Sequence, residues 1–248
     1  MTSTNVEEMD NEATELRALA GLRVVVTGGT SGLGLALVRA LRASGAEVAF
    51  VARTRERVIA VAEETGAIGI VADVADKDDI HRIALQVGAS VGASGAIDLL
   101  VNNASSLGPV PLRPLGDTDC EDLEAALAAN LLGPFRLTKA LLGPLAAAAR
   151  ESAPSVVLNV SSDAATSAYA EWGAYGASKA ALAHLSAIWS LELAGERVRV
   201  LSLDPGDMDT PLHELALPGS DRASLKRPVD AARALLRAVI AARGEVRS

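Results

Sequence analysis

Three side chains in the 248-residue sequence have the types and spacing needed for acid–base chemistry: Tyr175, Lys179 and Ser162. Tyr175 and Lys179 are four positions apart in a stretch with helical periodicity, so they share one helix face. A free tyrosine, with a pKa of about 10, is a weak catalyst at neutral pH, but a nearby ammonium favours its phenolate. Ser162 adds a hydroxyl that can hold an oxygen atom. The pattern indicates proton transfer to or from a substrate oxygen.

A second group of residues indicates a phosphate-binding turn near the start of the chain. Gly28, Gly32 and Gly34 lie between a β-branched apolar run and a helix-like stretch that begins near Gly32. Glycines permit a tight turn and let backbone N–H groups approach a pyrophosphate at the positive end of a helix. Three residues, rather than one, follow the first glycine, so the spacing differs from the usual dinucleotide fingerprint. Taken alone, this turn is equally compatible with a structural role.

The end of the second apolar run predicts which dinucleotide is bound. An acidic residue there would hold the ribose 2′-hydroxyl of NAD, but this chain has Ala52 followed by Arg53 and Thr54. A guanidinium favours the 2′-phosphate of NADP, so we expect NADP(H) rather than NAD(H). A solvated basic helix start is the alternative. Asp73, after the third run, could accept from an adenine amino group or cap a helix.

Strand-like and helix-like segments alternate along the chain with short connections. The predicted strands are 22–27, 46–52, 67–72, 97–101, 155–161 and 198–203, and the predicted helices are 32–44, 54–65, 76–92, 119–149, 173–195 and 228–243. This alternation predicts a single-domain, Rossmann-like, doubly wound parallel sheet with helices on both faces. In such a sheet the ligand crevice lies at the carboxyl ends of the strands. Polar or glycine residues described above follow four of the predicted strands: Gly28, Arg53, Asp73 and Ser162.

Asn130 lies in the long predicted helix 119–149, four positions before Pro134. Proline has no N–H, so it cannot bond to the Asn130 carbonyl, and the helix should be distorted there. The carbonyl freed in this way could hold a water that leads to Lys179. An ordinary kink with a solvated carbonyl is the alternative.

Composition and charge exclude several other classes of protein. The formal charge of -8 and the pI near 5.0 argue against binding to nucleic acid or to an anionic membrane. Cys120 is a lone cysteine and His81 and His184 have no ligand-spaced neighbours, so we expect no disulfide and no metal. Residues 1–20 are expected to be a flexible acidic arm before a domain at 21–248, and the absence of an apolar leader predicts a cytoplasmic protein.

Together these residues resemble the short-chain dehydrogenase/reductase family over about residues 21–240. The resemblance implies a catalytic set of Asn130, Ser162, Tyr175 and Lys179. It also implies a sheet-stabilising role for Asn102 and Asn103. The residues implied to bind the cofactor are Gly28, Thr30, Ser31, Gly32, Leu33, Gly34, Arg53, Thr54, Asp73, Val74, Asn103, Ala104, Tyr175, Lys179, Pro205, Gly206, Met208 and Thr210.

The function implied is NADP(H)-dependent interconversion of a ketone and a secondary alcohol, with Tyr175 as general acid or base and Ser162 on the substrate oxygen. Pocket segments 105–116, 163–174 and 207–227 contribute Leu107, Pro109, Val110, Trp172, Met208 and Leu212, so we expect a hydrophobic small-molecule substrate. His213 either lines this pocket or lies on the surface. By the resemblance the protein should be a homodimer or homotetramer.

Two departures from the family pattern and two alternative functions stay open. Ser105 stands where the family commonly has glycine, and residues 244–248 could form only a stub of a seventh strand. A non-catalytic module that senses the redox state of NADP is the main alternative, although it would be expected to lose the Tyr–Lys–Ser set. A sugar-nucleotide epimerase or dehydratase would need a larger C-terminal substrate region.

Overall fold

Six parallel strands form one sheet in the order β3-β2-β1-β4-β5-β6. The structure is a computed structural model that describes residues 16–92 and 95–244. The strands are β1 Arg23–Thr27, β2 Glu47–Ala52, β3 Ile68–Val71, β4 Leu99–Asn102, β5 Ser155–Val160 and β6 Val198–Leu203. All six fall within one or two residues of the predicted strands, and the predicted Rossmann-like fold is confirmed.

Helices cover both faces of this sheet. They are α1 Gly32–Ala43, α2 Arg55–Thr65, α3 Lys77–Ser90, α4 Cys120–Leu127, α5 Gly133–Glu151, α6 Gly173–Glu192, α7 Pro211–Ala216 and α8 Pro228–Arg243. Among the described residues, no helix is both long enough and apolar enough to cross a bilayer.

The strands are apolar on both faces because each face packs against helices. Val24, Val25 and Val26 of β1 are all completely buried, although consecutive side chains point to opposite faces. Val24 and Val26 belong to a core cluster with Leu37 of α1. Val25 belongs to the cluster on the other face. A continuous run of β-branched residues is therefore what a central strand of this sheet requires.

The strand order reverses between β1 and β4, which are adjacent although two strands separate them in sequence. At such a point the connections leave toward opposite faces of the sheet, so a crevice opens at the carboxyl ends of the strands. Asn103 crosses the entrance to this crevice. Its backbone N–H donates to the Thr27 hydroxyl at 2.9 Å, and its side-chain amide donates to the Thr27 carbonyl at 2.9 Å. The two strand ends that frame the crevice are thus tied together.

The prediction of one helix over 119–149 is wrong, because the stretch does not form a single continuous α-helix. The structure divides it into α4, a π-helical turn at Ala128–Leu132, and α5. The Gly133 N–H bonds to the Ala128 carbonyl, five residues back, instead of to the carbonyl four residues back. Pro134, which has no N–H to give to Asn130, lies in the first turn of α5, where proline is well tolerated. The distortion predicted from Pro134 is present as a widened turn.

The packed part of the chain begins before residue 21, the boundary predicted for the domain. Arg17–Leu19 forms a short 3₁₀ turn, and Leu19 is completely buried in the core. The remainder of the predicted acidic arm, residues 1–15, lies outside the described residues. So do residues 245–248, which we expected to form a stub of a seventh strand.

Candidate active site

A cavity of about 700 Å³ lies at the carboxyl ends of the strands. Its size is typical of a site for a cofactor or small molecule. Every residue predicted to bind the dinucleotide lines it, and so do Ser162 and five of the six residues predicted to contact substrate. Pro109 is the predicted substrate contact outside the lining set. The structure therefore brings together residues from strand ends that are far apart in sequence.

One end of the cavity is formed by the glycine turn between β1 and α1. Gly28 has a φ of +70°, a conformation that side chains rarely adopt. A Cβ on Gly34 would collide with the Gly28 carbonyl oxygen, so the helix can start this close to the strand only with glycine at position 34. The N-terminus of α1, with its unpaired N–H groups, consequently faces the cavity and can receive an anion.

Arg53 and Asp73 lie beside each other at the ends of β2 and β3. The Arg53 guanidinium is 3.7 Å from the Asp73 carboxylate, and its side chain is 78% exposed. An exposed pair at this distance is weak, so Arg53 is free to turn toward a ligand. Asp73 does not cap α3, because that cap is Asp76. The Asp73 carboxylate instead accepts from the Ala75 N–H at 2.9 Å.

Tyr175 and Lys179 project from the first turns of α6 into the opposite end of the cavity. Both are buried, and the Lys179 Nζ lies 5.6 Å from the centre of the Tyr175 ring. Lys179 Nζ donates to the Val160 carbonyl at 2.7 Å. Because Val160 ends β5 two residues before Ser162, this bond ties the ammonium to the strand that carries the serine.

Burial shifts the protonation of both side chains toward their neutral forms. It raises the pKa of Tyr175, an effect partly opposed by the nearby hydroxyls of Ser162 and Ser105. It lowers the pKa of Lys179 to about 8, an effect partly opposed by the negative charge of Asp204. The sequence led us to expect a lowered pKa for Tyr175. In the structure, desolvation of the phenolate outweighs the favourable interactions.

The Ser162 hydroxyl is engaged with its neighbour, Asp163. It donates to Asp163 Oδ1 at 3.0 Å and accepts from the Ala164 N–H at 3.2 Å. The Tyr169 hydroxyl donates to the other carboxylate oxygen at 2.7 Å, and this bond lowers the pKa of Asp163. Asp163 Oδ1 also accepts from the Ala164 N–H at 2.8 Å, so it keeps a donor when Ser162 turns away.

Asn130 lies behind the cavity wall, completely buried in the π-helical turn. Its Oδ1 accepts from the Ser105 hydroxyl at 3.0 Å and from the Ser106 N–H at 2.8 Å. Its Nδ2 donates to the Ser106 carbonyl at 2.7 Å and to the Ser178 hydroxyl at 2.8 Å. The side chain thus joins the loop after β4 to α6. Sequence reasoning predicted a role for the Asn130 main chain and did not predict this side-chain network.

The substrate end of the cavity is less apolar than we predicted from the sequence. Leu107, Trp172 and Leu212 form an apolar wall as expected. Three carboxylates share the lining, those of Asp163, Asp204 and Asp207. Asp204 directly follows β6, whereas Asp163 and Asp207 lie three and four residues after the ends of β5 and β6. These positions near strand ends could have been recognised in the sequence. His213 also lines the cavity, and its Nε2 is buried with no hydrogen-bond partner among the described residues.

Comparisons with known proteins agree with the geometry of this site. A family model described as short chain dehydrogenase matches residues 23–219. L-xylulose reductase of Bos taurus is 31% identical over 199 residues, which cover 80% of this chain and 76% of that protein. Carbonyl reductase (NADPH) 2 of Sus scrofa is 30% identical over 187 residues, which cover 75% of this chain and 71% of that protein.

A solved structure has a similar fold over most of its length. The crystal structure of a short-chain dehydrogenase from Streptomyces avermitilis superposes with a TM-score of 0.76 at 30% sequence identity. The match covers 89% of this chain and 84% of that chain.

Proposed function

The chain belongs to the short-chain dehydrogenase/reductase family, and we propose that it is an NADP(H)-dependent member that interconverts a ketone and a secondary alcohol. One observation carries this proposal. The phosphate-binding turn and Arg53 line one end of a single cavity, and Tyr175, Lys179 and Ser162 line the other. A nicotinamide dinucleotide is the ligand whose two ends require these two kinds of chemistry.

The residues around the cavity fit such a dinucleotide. The close approach of backbone at Gly28 and Gly34 leaves a concave surface of N–H groups suited to a pyrophosphate. By the family resemblance, Asp73 would contact the adenine, Lys179 the nicotinamide ribose and Thr210 the carboxamide. When bound, the nicotinamide supplies a hydride in the direction of reduction and accepts one in the direction of oxidation.

The preference for NADP(H) rests on the end of β2. Ala52 offers no carboxylate to a ribose 2′-hydroxyl, whereas Arg53 and Arg57 line the cavity beside it. Charge-assisted pairing of guanidinium with phosphate is strong. Among the described residues, the carboxylate that Arg53 would have to leave is that of Asp73, with which it forms a weak, exposed pair at 3.7 Å. The name of the porcine relative, which includes NADPH, supports the same choice.

Tyr175 acts as the proton donor in the direction of reduction. Because burial raises the pKa of Tyr175, its hydroxyl carries a proton at neutral pH and can give it to the ketone oxygen. Ser162 turns from Asp163 to donate a hydrogen bond to the same oxygen, which stabilises the developing negative charge. Lys179, with a pKa of about 8, is mainly an ammonium at neutral pH and favours the phenolate that Tyr175 becomes.

Asn130 contributes through its position in the π-helical turn at Ala128–Leu132. We assign its main-chain carbonyl the role of holding a water that leads to Lys179 and restores the proton to Tyr175. The four hydrogen bonds of its side chain hold that carbonyl in place relative to α6.

The proposed substrate is an uncharged carbonyl compound with an apolar portion. Leu107, Trp172 and Leu212 offer an apolar surface, whereas Asp163, Asp204 and Asp207 would repel an anion. The carboxylates also offer acceptors for hydroxyl groups, so the hydrophobic ketone expected from the sequence is extended to ketones that carry hydroxyls.

The experiment that tests this function is consumption of NADPH in the presence of a panel of ketones. The panel contains matched neutral and carboxylate-bearing members, and NADH is tested in parallel. We expect turnover of neutral ketones with NADPH, slower turnover with NADH, and little with the anionic members. Binding of NADPH without turnover of any ketone would favour the redox-sensing alternative.

A further inference from the structure

His213 lines the cavity but has no part in the function proposed above. It lies in the first turn of α7, and its Nε2 is buried with no hydrogen-bond partner among the described residues. A buried nitrogen of this kind destabilises the free protein, because it has lost its hydrogen bond to water without gaining another. A bound molecule that supplies the partner recovers this loss, so the ring is suited to hold a ligand.

The start of α7 holds the backbone of His213 in place. The Thr210 hydroxyl accepts from the His213 N–H at 3.2 Å, and the His213 carbonyl accepts from the Leu217 N–H at 2.8 Å. Thr210 itself lies against the phosphate-binding turn, where a Cβ on Gly32 would be 3.1 Å from the Thr210 Cγ2. Both main-chain groups of His213 are thus bonded near the end of the cavity that fits the cofactor, and the imidazole is left to bind a ligand.

The neighbours of His213 along α7 extend from there to the substrate end of the cavity. Ala216 is buried in one apolar cluster with Tyr175, and Leu212 and Trp172 pack against the same cluster. His213 and Ala216 are three positions apart, so they lie on one face of the helix. The imidazole therefore lies on the face of α7 that packs toward Tyr175.

The chemistry of the cavity selects the kind of group that pairs with Nε2. Asp163, Asp204 and Asp207 line the same cavity and would repel an anion. An apolar group forms no hydrogen bond. A hydroxyl can donate and accept, so it pairs with the imidazole of His213 in either neutral tautomer. An ammonium group can only donate, and it serves below as the competing partner.

We propose that His213 binds a hydroxyl group of the substrate through Nε2, so that the protein selects hydroxylated ketones over ketones that lack the hydroxyl. This role rests on the proposed function and narrows its substrate class. A ketone without the hydroxyl fills the cavity and leaves Nε2 unpaired, which is the situation in which a polar site discriminates against an analogue. Only hydrogen bonds form or break.

Reduction of matched cyclic ketones by NADPH measures this selection. 2-Hydroxycyclohexanone and 4-hydroxycyclohexanone carry a hydroxyl beside and opposite the carbonyl, and cyclohexanone carries none. The measured quantity is kcat/KM for the better hydroxylated ketone divided by kcat/KM for cyclohexanone. We expect His213→Leu to lower this ratio about tenfold, the net effect of one neutral hydrogen bond. An equal ratio in the unmodified protein and in His213→Leu would overturn the proposal.

4-Aminocyclohexanone tests the competing partner. We expect its kcat/KM relative to cyclohexanone to change less in His213→Leu than that of the hydroxylated ketone. A larger loss for the amino ketone would assign Nε2 to an ammonium group and overturn the proposal.

Two variants separate hydrogen bonding from packing. His213→Gln places an amide near the position of Nε2 and should keep most of the preference for the hydroxylated ketone. His81→Leu makes the leucine substitution at an exposed histidine of α3, outside the cavity lining, and should leave the preference unchanged. An equal loss of preference in His213→Gln and His213→Leu would mean that the shape of the ring matters and its hydrogen bond does not.

A binding measurement keeps this role testable when no ketone is reduced. NADPH cannot oxidise an alcohol, so thermal stabilisation of the protein with NADPH by 1,2-cyclohexanediol or 1,4-cyclohexanediol is compared with that by cyclohexanol. The unmodified protein should be stabilised more by a diol, and His213→Leu should lose the difference. With that result, an absence of ketone reduction would count against the proposed function alone. Equal stabilisation by the diols and cyclohexanol would count against the role of His213, even if ketones are reduced.

The melting temperature of the free protein distinguishes a ligand contact from a structural one. Because Nε2 has no partner among the described residues, His213→Leu should not lower the melting temperature in the absence of ligand. A melting temperature several degrees below that of the unmodified protein would assign His213 a structural role and contradict the proposal.

Discussion

Tyr175 and Lys179 illustrate how one environment changes two ionisable side chains in opposite directions. The same burial raises the pKa of the phenol and lowers that of the ammonium, because it disfavours whichever form is charged. In the proposed reaction, reduction of a ketone therefore starts from a protonated Tyr175. The nearby hydroxyls of Ser162 and Ser105 partly offset the effect of burial on the pKa of Tyr175.

Lys179 leads to a prediction about the pH dependence of stability. Its pKa is about 8 in the folded protein against an ordinary value of 10.5, so between these two values the unfolded chain binds more protons than the folded one. The free energy of unfolding of the protein that keeps Lys179 should therefore rise with pH across this window, relative to Lys179→Met. Because one pH unit corresponds to about 1.4 kcal/mol per proton, the difference should grow by roughly 3 kcal/mol.

Urea unfolding of the two proteins at a series of pH values from 7 to beyond 10 measures this difference. Both proteins carry the substitution Tyr175→Phe, so the titration of Tyr175, which depends on Lys179, does not enter the comparison. A difference in the free energy of unfolding that stays constant across the window, or shrinks as the pH rises, would show that the pKa of Lys179 is not lowered in the folded protein.

The residues proposed to react could be singled out from the sequence, but their connections could not. The spacing of Tyr175 and Lys179 on one helix turn is local, and Ser162 directly follows a strand, so both features can be read from short segments. The bonds from Asn130 to Ser106 and Ser178 span 24 and 48 positions, and no local pattern indicates them. Ser105 was visible as an unusual residue, but its bond to Asn130, 25 positions away, depends on the folded loop.

Among the elements, the π-helical turn at Ala128–Leu132 could be predicted only in part from the sequence. The missing N–H of Pro134 predicted a disturbance at Asn130. The missing N–H alone does not determine whether the helix kinks or forms a wider, π-helical turn, since that depends on how the helix packs. Gly133 fits closely against the Val74 carbonyl, where a Cβ would be 2.7 Å from the oxygen. The strands, in contrast, were predictable, because continuous apolar runs rich in β-branched residues are typical of strands in a parallel sheet that is covered on both faces.

The π-helical turn leads to a prediction about Pro134. Pro134→Ala restores an N–H that can donate to the Asn130 carbonyl, so the turn should narrow to an ordinary helix and turnover should fall. Stability should change little, because proline costs little in the first turn of a helix, where Pro134 lies. Melting temperature and NADPH-dependent turnover are measured on the same variant.

Pro144 provides the matched control, since it lies in the interior of the same helix. Pro144→Ala removes the interior proline, which costs about 3 kcal/mol in a helix, and should raise the melting temperature without lowering turnover. Equal turnover in Pro134→Ala and Pro144→Ala would mean that the widened turn is purely architectural.

At the scale of the whole molecule, the outer surface of α6 suggests how copies of the chain associate. Ile188 and Leu191 are one helix turn apart, and Leu191 is 82% exposed in the single chain. An apolar strip of this kind on a helix is favourable when it packs against a second copy. We therefore expect a homodimer or homotetramer in which α6 takes part.

Light scattering coupled to gel filtration tests this expectation. The double substitution Ile188→Ser and Leu191→Ser should reduce the molar mass relative to the unmodified protein. Leu85→Ser serves as a control, because Leu85 is also highly exposed, at 75%, but lies on α3. A single-chain mass for the unmodified protein would contradict the expected assembly.

The most direct test of the proposed chemistry compares the two tyrosines of the chain. Tyr175→Phe removes only the hydroxyl at the floor of the cavity, whereas Tyr169→Phe removes one that bonds to Asp163. NADPH binding and ketone reduction are measured on both variants, with the best substrate of the ketone panel. Tyr175→Phe should bind NADPH as the unmodified protein does and lose turnover by about 100-fold or more. Tyr169→Phe should keep most of its turnover. Ketone reduction by Tyr175→Phe at a rate near that of the unmodified protein would contradict the assignment of Tyr175 as the proton donor.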